Sequence, residues 1–130
     1  MKLNRIGLGL ILGLTLVMVK PLTAHHSFDA EYDQKKLMTI TGYVTKLDWV
    51  NPHAYVFLDV KDEAGNVDSY KVEMGPPYAL VRGGWSKDTI KAGDKITIEG
   101  AAQAKDGSKA GGSLPATSMT LSTGRKLTMR

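Results

Sequence analysis

Three histidines are the residues best suited to chemistry in this sequence, and they fall in two short motifs. His25 and His26 are adjacent, and His53 follows an Asn-Pro pair. Neutral imidazoles are good metal ligands. If the chain is cut after Ala24, His25 becomes its first residue and offers two nitrogens, the free amine and Nδ1. Together they close a compact chelate ring. A distant imidazole, His53, then completes a three-nitrogen site of the tetragonal kind that Cu(II) favours. His26 is a third candidate ligand, although adjacent side chains on an extended chain point apart. Copper stands ahead of zinc and nickel in the order of divalent affinities. The chain has no cysteine, so a closed zinc site would need a carboxylate such as Asp29 or Asp48. Such a site must bind more weakly as pH falls, because its ligands must be deprotonated. The alternative for the same residues is a solvated His-His pair and a His53 that donates to a turn carbonyl.

A second constellation is aromatic. Trp49, Tyr55 and Phe57 are candidates for a ligand face on the second strand, available to a protein partner or a small ligand without any metal. Packing beneath the N-terminal arm or a short helix is the competing role for the same rings. A copper oxidoreductase, by analogy with N-terminal-histidine copper enzymes, is a further alternative, but no catalytic sequence motif stands behind it. No serine stands in a nucleophile elbow, no glycine-rich phosphate loop precedes a helix, and the acidic residues lack calcium-loop spacing.

These residues must be positioned by short β elements. The stretch 37–50 reads as a long strand rich in Thr, Val, Ile and Tyr. Its phase changes: Ile40 and Val44 share one parity, Leu47 and Trp49 the other. Gly42 is the expected place for a bulge or sharp coil. Asn51-Pro52 marks a turn. In 54–60, Ala54, Val56, Leu58 and Val60 share the core face, while Tyr55, Phe57 and Asp59 face out. A turn over 62–66 leads to a returning strand, 67–74, with Tyr70, Val72 and Met74 inward and Lys71 and Glu73 outward. Residues 78–82 form a short helix candidate, and Trp85 reads as a core plug behind it. Strands follow over 95–100 and within 116–121, with 105–112 as a polar loop and 125–129 as a short tail. The expected fold is all-β with one short helix, a five-stranded Greek-key barrel of OB type. An open β-sandwich is the alternative.

The first 24 residues read as an export signal. Lys2 and Arg5 precede the uncharged apolar stretch 6–19, and Pro21 and Ala24 close it. The apolar run is shorter than the ~20 residues a membrane-spanning helix needs. The expected organisation is a signal peptide over 1–24 and one domain over 25–130, working in the periplasm or outside the cell; the alternative for the same segment is an uncleaved N-terminal anchor, which leaves the rest of the chain outside the cytoplasm as well. Membrane contact is then confined to the signal segment before cleavage.

The motifs His25-His26-Ser27-Phe28, Trp49-Val50-Asn51-Pro52-His53-Ala54, Gly84-Trp85-Ser86, Gly93-Asp94 and Lys105-Asp106-Gly107-Ser108 resemble a family of small exported bacterial proteins grouped as a domain of unknown function. The resemblance covers the chain from residue 25 on and implies an exported location. It implies no activity. One departure is the Gly83-Gly84 pair, where a basic residue would be expected before the glycine.

Charge excludes one class of partner. The chain carries 17 Lys and Arg against 13 Asp and Glu, a formal net charge of +4. Three of those bases, Lys2, Arg5 and Lys20, lie in the signal segment, which leaves 14 against 13. A nearly neutral domain supplies no basic groove for nucleic acid. The partner is therefore an unknown periplasmic protein or small ligand.

Overall fold

The structure is a computed structural model that describes residues 24–130. Side chains are described from Ser27 onward, so the side chains of His25 and His26 lie outside the described residues. So does the signal segment expected over 1–24, Ala24 apart.

Among the described residues, nine elements follow one another. They are α1 (Ala24–Glu31), β1 (Tyr32–Asp48), β2 (Tyr55–Lys61), β3 (Val67–Glu73), α2 (Pro77–Arg82), β4 (Lys95–Ala104), β5 (Ala110–Gly112), β6 (Ser118–Thr120) and β7 (Lys126–Thr128). The first five strands in chain order close a barrel. Their sequence around it is β1-β2-β3-β5-β4, and β4 pairs back on β1. The β3–β5 pair is parallel, and the other neighbours in the barrel are antiparallel. β6 and β7 extend the sheet beside β4. The mostly-β composition and the closed five-stranded barrel are as expected, and closure rules against an open sandwich. Helix α2 is the short helix read from the sequence. The stretch before β1 folds as the eight-residue helix α1.

Strand patterning explains the interior. Val56 and Leu58 on β2, Val72 on β3 and Ile96 and Ile98 on β4 are all buried, together with Ala54, Met74, Met119 and Met129. The phase change along β1 is real, but it sits elsewhere than expected. Val44 faces Leu58 and Lys46 faces Phe57, so the extra residue of the bulge is Thr45. Gly42 stays in register and serves a different need. A Cβ there would lie 2.2 Å from the carbonyl oxygen of Asp59, so the residue permits the close approach of two strands.

The larger departure is β5, which lies in the segment read as a polar loop. Its three residues close the barrel, Lys71 facing Ala110 and Glu73 facing Gly112. Consecutive glycines in a strand normally weaken it. Here they make room. A Cβ on Gly111 would lie 2.2 Å from Cε of Met38, and one on Gly112 would lie 2.5 Å from the Phe28 ring and 2.6 Å from the Tyr32 ring. Phe28 and Tyr32 thereby pack on Ala102, with Ala104 and Leu114 against them, as a small cluster separate from the main core. Their ring centroids are 4.8 Å apart. This cluster seats α1 on the barrel. A second tie is Lys105, whose backbone N–H donates to the Glu31 carbonyl at 2.8 Å and whose ammonium donates to the Asp29 carbonyl. A cation at the last turn of a helix satisfies carbonyls left without a helical partner.

Candidate functional site

β2 carries the expected alternation, and its outward residues meet defined partners across the sheet. Asp48, Tyr55 and Glu73 form one cross-strand row, and Lys46, Phe57 and Lys71 form the next. His53 precedes β2 on the same parity as Tyr55, next to the cis Asn51–Pro52 bond. It therefore stands at the end of the outward face, beside the row of Tyr55 and Glu73.

Glu73 was expected to point to solvent, and it does not. It lines a cleft that α1 walls on one side, and the residue is only 9% exposed. A buried carboxylate is costly unless its charge is compensated. Compensation comes from two sides. His53 Nδ1 lies 2.5 Å from Glu73 Oε1, and the Tyr32 hydroxyl hydrogen-bonds the same carboxylate. The backbone of Glu73 is also fixed. Its carbonyl accepts from the Ser113 N–H at 2.9 Å and from the Ser113 hydroxyl at 2.5 Å.

The result is a chain of groups, Tyr32, Glu73 and His53, running from the interior to a cleft of about 280 Å³. Ser27, Phe28 and Glu31 of α1 form one wall of that cleft. Pro52, His53, Tyr55, Glu73 and Arg130 form the rest. Because Nδ1 is committed to Glu73, Nε2 is the histidine atom left for a ligand or a proton.

Two tyrosines feel the carboxylates. The Tyr32 phenol is held far above its ordinary value, first by burial, then by the charge and hydrogen bond of Glu73. Tyr55 is raised as well, by burial first and then by Glu73 and Glu31. For Tyr32 the consequence for stability has a definite sign. The unfolded phenol ionises near 10.0, whereas the folded one keeps its proton to higher pH. Above about pH 10 the unfolded chain binds fewer protons, so stability is full below that pH and declines above it. Tyr32→Phe is expected to flatten that decline. Urea unfolding of both proteins at about pH 9 and about pH 11 measures it. An equal loss in the two proteins would remove Tyr32 as the responsible group.

The structure places the residues singled out in the sequence in three different settings. His53 is at the cleft. His25 and His26 fall in the first turn of α1, the helix whose later turns wall the same cleft. Among the described residues, no three His, Asp or Glu side chains gather as a metal-holding group. The aromatic trio is divided. Trp49 packs against the barrel core. Tyr55 lies in the cleft, and the Lys71 ammonium is 4.3 Å from its ring centroid. Phe57 sits between Lys46 at 5.5 Å and Lys71 at 5.9 Å. Asp29 and Asp48, the carboxylates named for zinc, do not line the cleft.

Glu73, Tyr32, Glu31 and Arg130 were missed from sequence. A signal for Glu73 was available. A turn over 62–66 pairs Lys61 with Val67, and that register sets Tyr55 opposite Glu73.

A family model covers residues 14–113 of the chain and carries the description of a family of unknown function, DUF6152. The chain belongs to that family. The match includes the two histidine motifs and β1 through β5, and it ends at Ser113, so Arg130 lies beyond the stretch that identifies a DUF6152 protein. No curated protein and no solved structure matches the chain. Among the described residues, no helix is long and apolar enough to cross a membrane.

Proposed function

We propose that this DUF6152 protein is an exported, periplasmic binding domain whose ligand site is the cleft between α1 and the β2–β3 face, and that the ligand is a copper ion. Export frees His25 as the first residue, whose amine and Nδ1 chelate the ion. His53 supplies a further nitrogen through Nε2, and His26 assists. The observation that carries this reading is the 2.5 Å contact of His53 Nδ1 with Glu73. Metal-bound histidines characteristically donate their other nitrogen to a carboxylate, which fixes the ring and raises its basicity. A second support is the position of α1. It carries the histidine pair in its first turn and lines the cleft through Ser27 and Glu31.

Titration of the exported protein with Cu(II), followed by EPR, tests the reading. One tightly held ion with nitrogen hyperfine structure is expected, and His53→Ala should remove that signature. A chain still carrying residues 1–24 should not form it, because His25 then has no free amine. An aqueous-like or easily stripped signal, unchanged in His53→Ala, would overturn the proposal.

The second reading is a metal-free interaction module that uses Tyr55 and Phe57. It is favoured by their shared outward face and by the lysines stacked on both rings. In that case Phe57→Ala removes partner binding while all three histidines are dispensable.

A further inference from the structure

Arg130 faces the same cleft and takes no part in the copper reading. It is half-buried, and its position is fixed by several contacts. Its Nη1 donates to the Ser113 carbonyl at 2.7 Å. Its guanidinium carbon lies 5.2 Å from the centre of the Phe28 ring. Its backbone packs on Gly75, where a Cβ would come within 2.9 Å of the Arg130 Cα, and the preceding Met129 carbonyl accepts from the Gly75 N–H at 2.8 Å.

A guanidinium has five N–H donors, and the Ser113 carbonyl accounts for one nitrogen. Among the described residues, no carboxylate lies within the 4.0 Å that defines an ion pair with it. The nearby charges are otherwise engaged or elsewhere. Glu73 is held by His53 and Tyr32, and Asp29 and Glu31 make no ion pair with Arg130. The side chain is thus held in place and partly desolvated, with most of its donors uncommitted.

Arg130 and Phe28 also line a second cavity of about 200 Å³, together with Asp29, Gln34, Leu114 and Pro115. The stacked pair stands between the two spaces and contributes a wall to each.

We propose that Arg130 makes this cleft a binding site for a small organic carboxylate. The planar fork of a guanidinium matches a carboxylate through two parallel hydrogen bonds, and prior ordering of the fork lowers the cost of forming them. Charge selects among anions. Glu31 and Glu73 line the same cleft, so a phosphate dianion is repelled about twice as strongly as a singly charged group. The remaining walls, Phe28, Pro52 and Tyr55, suit an apolar or aromatic body, and about 280 Å³ is just below the usual range for drug-sized ligands, which suits a smaller one. The proposal shares the cleft with the copper reading but not the metal, and it requires only that the cleft is the binding site.

Benzoate is the probe, with benzamide as its neutral isostere and phenyl phosphate as the dianion. Each is titrated by heteronuclear NMR into the exported protein after its metal has been stripped with EDTA. Benzoate should saturate, shift the amides of Phe28, Tyr55 and Ser113, and bind at least tenfold more tightly than the other two. Arg130→Gln should lose about tenfold or more of the benzoate affinity, and Arg130→Lys should lose most of it, since an ammonium lacks the fork. Equal binding of benzoate and benzamide by the unaltered protein, or tighter binding of phenyl phosphate, overturns the proposal without recourse to a variant. Because the protein is free of metal, failure of the copper titration leaves this result standing, and failure here leaves the copper site untouched.

Discussion

Trp85→Ala is expected to cost about 3–5 kcal/mol, the range for removing a large buried aromatic side chain. That is a large part of the ~5–15 kcal/mol that holds a domain of this size together. Three contacts set the magnitude. The side chain is 2% exposed, its indole N–H donates to the Thr128 carbonyl at 2.7 Å, and its backbone N–H returns to Leu80 at 3.0 Å. One residue thereby joins α2, β7 and the barrel core. Truncation leaves a cavity and an unpaired carbonyl in the same place, and the two penalties add. Trp85→Phe keeps most of the apolar contact and should lose only about 1–2 kcal/mol, chiefly the hydrogen bond and part of the volume. Urea unfolding midpoints for the two variants measure the difference. A loss below about 1 kcal/mol for Trp85→Ala would show that the interior closes over the gap.

Glu73→Gln is the substitution with the largest expected effect on the site. Shape and one acceptor oxygen survive, but the negative charge that orders His53 and Tyr32 is lost. Removing the outer carboxylate of a metal-bound histidine typically weakens metal binding by about 10–100-fold, so the proposed copper site predicts a fall of that size in Cu(II) affinity. The fold should tolerate the change, because the strand is held by main-chain bonds to β2 and β5 and by Ser113. Two spectroscopic readouts separate positioning from simple damage. The Tyr32 phenol should titrate at lower pH, since Glu73 supplies part of its elevation, and ultraviolet absorbance in alkali reports this directly. The His53 ring-proton resonances should shift and sharpen as the imidazole loses its partner and gains freedom to turn. Unchanged copper affinity together with a lowered phenol titration would restrict Glu73 to Tyr32 and detach it from metal binding.

Much of this architecture could be read from residue patterns, for identifiable reasons. The period-two alternation along β2, continued by Val72 and Met74, marks the core face without ambiguity, because one face of each strand is buried and its partner row is not. Trp85 was recognisable as an interior plug because it directly follows a glycine-marked helix end. β5 was illegible. Ala110-Gly111-Gly112 carries no strand propensity, and its two glycines answer to Met38, Phe28 and Tyr32, which are distant in sequence. The same cause hid Glu73. Its parity correctly set it outside the barrel, but outside the barrel is solvent only where no helix stands beside the face. The bulge was assigned to the nearest glycine, whereas the residue inserted is Thr45 and the glycine serves a close strand contact. Local patterns thus reported the strands well and reported poorly whatever α1 imposes on them.

The longest ladder of the barrel has a kinetic meaning. β1 pairs with β4 from Tyr32 opposite Ala104 to Tyr43 opposite Lys95, so closing it brings together chain segments separated by roughly 50–70 residues. Closing a loop of that length carries an entropic cost that must be met before its contacts repay it, and non-local pairings of this kind slow folding. The β2–β3 hairpin can form early, since its strands are joined by a five-residue turn. The barrel must wait for β4. The barrel therefore stays open until β4 has joined β1, and the cleft, which needs α1, β2, β3 and Arg130 together, forms late.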